Sequence, residues 1–572
     1  MPSILKKDFN KKWYIIIIVF LCLIRIVLTF NQMVYVTPVD AGLDDMLMFR
    51  LAKNLVSGQW LGEYNYLTLS KHMFFAFWLA FLNILNIPYL IAGHILYVIS
   101  CLFTVNALKP VLKTYWSKII LFGVLAYNPI SWSEYTLRVY RDNIFPSLCL
   151  LCIIGMVGFC LRIHEPIKKS LFYIIIASIG FTCAYLTRED GIWLLPFMIC
   201  AIIVYVFCLI FKSSTIKSKL ISVFLTIIPF ITLSITLLFF CAMNYNYYGR
   251  FIFSDFTSKD FTSAVGAFSR ADTTGAHPKI FVPYEVRQDI YSKVPLANEI
   301  GTYLETNAIY SAYGNAEKKE IYSGGFYWAL RKVAFENGFA TNATQAEIFY
   351  TKLANDINKA CESGLINTTN SVINSTQMPF NAEYIPLTIN EIFNSFKQLF
   401  SLFLFDEQQH QIKPYSSILC IFNEYAESQE DVEIFLHTKT AHAAQANTDL
   451  VYLDPLQNIF AKCLNIITWI MRIIIVLFTF ISLIWLLKQI ALIFKHIKNK
   501  KFDFNFLYAI IYIGLLFNFI LRVAMISYIE AISFQIGTYS MYLSSAMPFL
   551  LIVITLGTIH FITQKLNIEK EK

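Results

Sequence analysis

A chain of 572 residues could hold several soluble domains, but 57% of its residues are hydrophobic and 16% aromatic, with a mean hydropathy of +0.55. Water cannot solvate that much apolar surface and a bilayer can, so the composition excludes a soluble enzyme. The net charge of +8 sits in short loops between apolar runs, with no aromatic-interleaved basic patch, so nucleic acid is not the expected partner.

Apolar runs of about 20 residues recur along the chain, each long enough for a ~30 Å hydrocarbon core. They predict an all-α polytopic membrane protein with about ten spans, at 13–30, 88–108, 118–131, 144–161, 171–187, 192–211, 219–242, 460–487, 505–524 and 542–563. The first run follows Lys11 and Lys12 and ends in polar chain without a small-residue cleavage site, which marks a retained span and not a signal peptide. Lysines and arginines cluster at 6–12, 109–118, 162–169, 212–219 and 495–501. The positive-inside rule makes these the cytoplasmic ends, leaving 31–72, 132–143, 188–190 and 243–459 outside.

Behind the first span comes "GLDDMLMFRLAKNLVSGQWLG" (42–62). Met48, Leu51, Ala52 and Leu55 form a stripe with Arg50, Lys53 and Ser57 turned away, which predicts an amphipathic interfacial helix capped by Asp44 and Asp45 and ended by Gly58. Aspartate at a helix start also steadies the dipole without any chemistry. One cap needs one carboxylate, however, so the second is free for another role. Residues 72–86, "HMFFAFWLAFLNILN", are too short to cross and read as a juxtamembrane helix outside.

Further charges recur at the same ends of the spans: Lys71 in "TLSKHMFF"; Glu134, Arg138, Arg141 and Asp142 in "SEYTLRVYRDNIFPSL"; Arg188, Glu189 and Asp190 in "YLTREDGIWLLP"; Arg522 inside the ninth span, followed by Glu530. Charges at membrane depth are costly and line a protein interior or an aqueous cavity. They form either a cleft for a polar acceptor and a phosphate or a set of ion pairs holding the spans together.

The chain divides into an N-terminal membrane module (1–242) with outer loops 31–87 and 132–143, a large helical outer domain (243–459) and a C-terminal membrane module (460–572). In the outer domain, Thr344 and Glu347 predict a capping box ahead of the stripe Phe349, Leu353, Ile357, with Gly364 as the stop. Ile392, Phe393, Phe396, Leu399, Phe400 and Phe403 predict a second helix whose apolar face meets the outer leaflet, the spans or a domain core. Tyr327 and Trp328 in "GGFYWALRKVAFENG" could stack on a sugar, with helix core the preferred reading. Asn342, Asn367 and Asn374 begin glycan-acceptor triplets. His437 and His442 read as solvated, and there is neither a phosphate-binding glycine loop nor HExxH. Of the 12 cysteines, only Cys361 and Cys420 lie well inside the polar segment, where one disulfide stays open.

The order of features now resembles a family. A first span, Asp-Asp, alanine at the eighth position after the first aspartate, "GQWLGEYNYLTLSK", a short apolar helix and a second outer loop with aspartate are similar to the GT-C membrane glycosyltransferases. The branch that looks closest holds the protein O-mannosyltransferases and lipid A aminoarabinose transferases. "YSMYLSSAMPFLL" (539–551) resembles a degenerate form of their arginine-tyrosine and proline motif. The likeness spans roughly residues 10–200, thins over the C-terminal spans and is absent from 243–459. It implies a GT-C-like helical fold and an inverting transfer of sugar from a polyprenyl-phosphate donor to a hydroxyl of a glycan or lipid-linked acceptor. The reaction would run on the exterior face of the membrane, and the lysine- and isoleucine-heavy composition fits a bacterial plasma membrane.

By the resemblance, Asp44 matches the aspartate that takes the acceptor proton, with Asp45 beside it, and Asp142 matches the second-loop aspartate near the acceptor. Lys71 matches the lysine on the lipid phosphate, although the family's proline-rich tail here reads "SKHMFF". Arg138, Arg141 and Arg188 could stabilise phosphate charge, with Glu134, Glu189, Asp190, Arg522 and Glu530 completing the substrate-binding set. No cofactor is required when basic residues supply the charge; a divalent metal at Asp44–Asp45 stays open. The rival expectations are a flippase for lipid-linked glycans, which internal repeats would favour and none are seen, and a non-catalytic glycan-assembly protein.

Overall fold

The computed structural model describes residues 10–30, 43–132, 136, 138–271, 279–368, 382–402, 429–438, 455–534 and 539–571. The chain is an all-α integral membrane protein. Among the described residues, eight helices are long and apolar enough to cross a bilayer: Lys11–Thr29, Tyr89–Ala107, Ile167–Thr187, Glu189–Phe211, Ile216–Tyr248, Lys462–Lys498, Phe504–Ser533 and Met547–Lys565. Among the described residues the strands amount to one antiparallel pair, Gly314–Asn315 with Glu320–Ile321, and a lone bridge from Ala271 to Thr368.

The predicted spans at 118–131 and 144–161 are shorter helices, Tyr115–Ala126 and Phe145–Cys160. At 1.5 Å per residue they reach only about 18 and 24 Å. The second needs no lipid match, because all sixteen of its residues are buried by protein. It packs on Ile167–Thr187 nearly backbone to backbone. A Cβ on Gly155 would lie 2.7 Å from the Ala177 nitrogen, and one on Gly180 would lie 2.5 Å from the Cys152 nitrogen. Side-chain caps start several of these helices: Thr114 accepts from Ser117 N–H, Thr215 from Ser218 N–H, and Asp503 from the Asn505 and Phe506 amides.

Arg25, in the middle of an apolar run, is fully buried. Its guanidinium donates to the Ala126 carbonyl, to Ser131 Oγ at 2.9 Å and to His94 Nδ1 at 3.0 Å, and it lies 4.1 Å from the Trp132 ring centre. The first span is thereby tied to Tyr89–Ala107 and to the end of Tyr115–Ala126.

The polar segment builds a helical body with its own apolar core, including Phe261, Phe268, Ile300, Leu330, Leu353 and Ile357. The expected capping box is displaced. Asn342, not Thr344, caps helix Ala343–Glu362 by accepting from Gln345 N–H at 2.9 Å, while Glu347 is drawn 3.2 Å from Arg250 Nε. The stripe Phe349, Leu353, Ile357 is buried as expected, and Gly364 follows the helix with φ +75°. Helix Ile385–Ser401 lies against the span Phe504–Ile529: Ser395 and Ser527 hydroxyls meet at 2.9 Å, Leu399 is buried, and Phe393 points outward. Glu134, Asn374, Phe403, Cys420 and His442 fall outside the described residues.

Candidate active site

The helix that follows the first span runs Asp45–Val56 and buries Met46, Leu47, Met48, Phe49, Leu51 and Ala52 against the short helix Phe74–Ile84. Asp44 occupies the N-cap position, yet its side chain makes no capping hydrogen bond. Its carboxylate pairs instead with Lys71 Nζ and accepts from the Tyr140 hydroxyl at 3.1 Å, with Arg138 Nη2 4.0 Å away. Hydrogen bonds assisted by a cation in a partly dry site outcompete a neutral amide. Asp45 is 1% exposed, and both its oxygens accept from Arg138 Nε at 2.8 Å. Both aspartates therefore face cations instead of capping.

Tyr140 is the hinge of this arrangement. Its hydroxyl donates to Asp44 and accepts from Arg141 Nη2 at 2.8 Å, and its ring lies 4.7 Å from the Arg138 guanidinium. Burial pushes the Tyr140 phenol up to about 12, with the Arg141 guanidinium acting the other way. It therefore keeps its proton near neutral pH and remains a donor. Arg141 Nη1 reaches Glu189 Oε2 at 2.7 Å, and Glu189 Oε1 accepts the backbone N–H of His72 at 3.0 Å. Glu189 thus fastens the residue next to Lys71. His72 Nδ1 pairs with the Tyr185 carbonyl at 2.6 Å, which fixes its proton on that nitrogen.

A second chain of charges adjoins the first. Arg188 Nη1 grips both oxygens of Asp142 at 2.8 and 2.9 Å, and its Nε donates to Asp190 at 3.0 Å. Arg522, fully buried, donates to the other oxygen of Asp190 at 2.6 Å and to the Tyr542 carbonyl at 3.2 Å. Burial raises the Asp142 carboxyl from its ordinary range, and Arg188 and Arg141 oppose that push. Glu530 is buried at the start of a short π-helical turn, Glu530–Phe534. Above Lys71 stands the polar body: the Trp328 ring centre is 5.7 Å from Lys71 Nζ.

Two solved structures resemble this chain, and both are ArnT from Cupriavidus metallidurans. The structure bound to undecaprenyl phosphate aligns with a TM-score of 0.33 and the apo structure with 0.24. Each is 10% identical and covers 91% of this chain and 78% of its own. No family model and no curated protein matches the chain. Its chemistry is therefore read from the side chains themselves.

The structure brings together Asp44, Asp45, Lys71, Arg138, Arg141 and Glu189 in one network and Asp142, Arg188, Asp190 and Arg522 in the adjoining one. Among the described residues no three His, Cys, Asp or Glu side chains gather as a metal site would need. The sequence reading missed Tyr140, although it stands between Arg138 and Arg141 in the quoted loop, where a phenol flanked by two guanidiniums was the available signal. It also missed Arg25, a lone cation in an apolar run.

Proposed function

We propose that the chain is an inverting glycosyltransferase that moves a sugar from a polyprenyl-phosphate donor to an acceptor hydroxyl at the exterior face of the membrane. The observation that carries the reading is the Asp44 environment: a carboxylate 19% exposed, held by a lysine and a phenol, beside guanidiniums that can meet a phosphate. Asp45 and Asp142 are each about 1% exposed and locked onto an arginine, which suits them to orienting Arg138 and Arg188. Asp44 is the carboxylate with room to work.

A donor phosphate arriving at Lys71 offers the ammonium a second anionic partner and loosens its hold on Asp44. The freed carboxylate accepts the acceptor's hydroxyl proton. The acceptor oxygen bonds to the anomeric carbon from the face opposite the phosphate, and the anomeric C–O bond breaks with its electron pair going to the phosphate. The product configuration is inverted, and the lipid phosphate leaves as a monoester. Lys71 and Arg141 stabilise the growing phosphate charge; Arg141 Nε is buried without a hydrogen-bond partner among the described residues and has a donor to give.

The test compares surface glycans and polyprenyl-linked sugars by mass spectrometry in cells carrying the wild-type chain or Asp44→Asn at equal membrane levels. Loss of one decoration, with its lipid-phosphate sugar accumulating, is the expected result. Unchanged glycans in the variant, with a defect on deleting the gene, would sink the catalytic assignment.

A further inference from the structure

The stretch leading to Lys71 is held from above by the polar body. Arg331 donates from Nε to the Tyr66 carbonyl and from Nη2 to the Thr68 carbonyl, both at 2.8 Å. The backbone N–H of Asp255 donates to the Leu69 carbonyl at 2.8 Å, and Ser254 Oγ approaches the Ser70 carbonyl at 3.4 Å. Asp255 in turn accepts from Arg331 Nη1 at 2.6 Å, from Arg250 Nη1 at 3.1 Å and from the Tyr64 hydroxyl at 3.0 Å. Arg331 and Asp255 are both fully buried. Four successive or near-successive carbonyls, 66, 68, 69 and 70, are thus engaged by residues of the polar segment just before Lys71.

The backbone they hold is strained. Leu69 has φ +59°, the left-handed region, which costs a side-chain-bearing residue about 1–2 kcal/mol. Such a conformation persists only when its surroundings over-determine it. On the membrane side Glu189 accepts from the His72 N–H, just after Lys71. Before Lys71, the polar body's contacts add to the loop's own hydrogen bonds, such as Ser70 Oγ to the Leu67 carbonyl at 2.6 Å. Arg331 lies on helix Ser323–Glu336 one turn beyond Trp328, whose ring faces the Lys71 ammonium. One helix therefore grips the loop backbone and covers the lysine.

We infer that Arg331 and Asp255 are positioning residues for Lys71, so that the polar body sets how the lysine meets the donor phosphate. The inference rests on the proposed phosphate role of Lys71. Neither residue touches substrate; they act through the loop.

The experiment uses the full chain in detergent or nanodiscs and compares wild type, Arg331→Lys and Tyr64→Phe. Arg331→Lys keeps a charge near Asp255 but cannot span two carbonyls and a carboxylate. Tyr64→Phe trims one hydroxyl from Asp255 and spares the fold. Hydrogen exchange of segment 64–72 reads the loop, exchange of helix Ala343–Glu362 controls for folding, and undecaprenyl phosphate serves as the ligand. The expected result is faster exchange in 64–72 with the control helix unchanged, and Kd for undecaprenyl phosphate weakened about tenfold in Arg331→Lys and about twofold in Tyr64→Phe. Unchanged loop exchange and Kd in a folded Arg331→Lys overturns the inference. If that variant loses the control helix, unchanged loop exchange and Kd in Tyr64→Phe overturns it instead. Loop exchange needs neither ligand nor turnover, so a wild-type chain that transfers no sugar or binds no lipid phosphate defeats the functional reading separately.

Discussion

Replacing Asp44 and Asp45 by asparagine, one at a time, separates chemistry from architecture within two adjacent residues. Asp44→Asn is expected to fold and reach the membrane while losing about 10²–10⁴ in kcat, the range for a general base. Asp45→Asn is expected to fail earlier. It leaves Arg138 buried without its main carboxylate, a loss of about 3–5 kcal/mol, visible as a lower melting temperature in detergent and reduced membrane level. Equal loss of stability in both variants would remove the distinction. Adjacency was legible in the sequence, because two carboxylates at one helix start exceed what a cap can use. Their division was not legible: it depends on Lys71, Arg138 and Tyr140 arriving from other loops.

At the level of elements, local pattern located the helices well and their caps poorly. The stripe Phe349, Leu353, Ile357 is fixed by the 3.6-residue period and is buried as read. The cap two turns earlier was misplaced: the reading set Thr344 there, whereas Asn342 accepts from Gln345 N–H and Arg250 draws Glu347 away. Short buried helices were also misjudged in length, since Phe145–Cys160 is enclosed by protein and need not match the bilayer. Arg25 gives an element-scale prediction. Arg25→Lys keeps the charge but cannot serve a carbonyl, a hydroxyl and an imidazole at once. It should destabilise the chain by about 1–3 kcal/mol through the groups left unpaired, with Arg25→Met similarly affected. A melting temperature unchanged in both would show that the three-helix tie contributes nothing to stability.

Across the whole molecule, the sequence carried the helical, membrane-spanning character of the chain but not which charges meet. Asp190 and Arg522 are 332 positions apart and bond at 2.6 Å, and no periodicity reports such a meeting. Their contact ties the turn Glu189–Leu194 to helix Phe504–Ile529 and is testable as a coupling. Asp190→Asn alone should be markedly destabilising because Arg522 and Arg188 both lose a carboxylate. The double variant Asp190→Asn, Arg522→Met should recover about 1 kcal/mol or more of that loss. Strict additivity in thermal unfolding would argue that the two helical segments are not coupled through this pair.

The Lys71–Asp44 ion pair also bears on the sequence of events in a catalytic cycle. With the proposed roles, the resting protein holds its base neutralised by the residue that must receive the donor, so water or an acceptor entering first meets no free carboxylate. Initial-rate kinetics should then show compulsory order, donor before acceptor. Lipid phosphate, the last product to leave, should compete with donor and not with acceptor. The pairing would act as an interlock, withholding the base until the donor is in place.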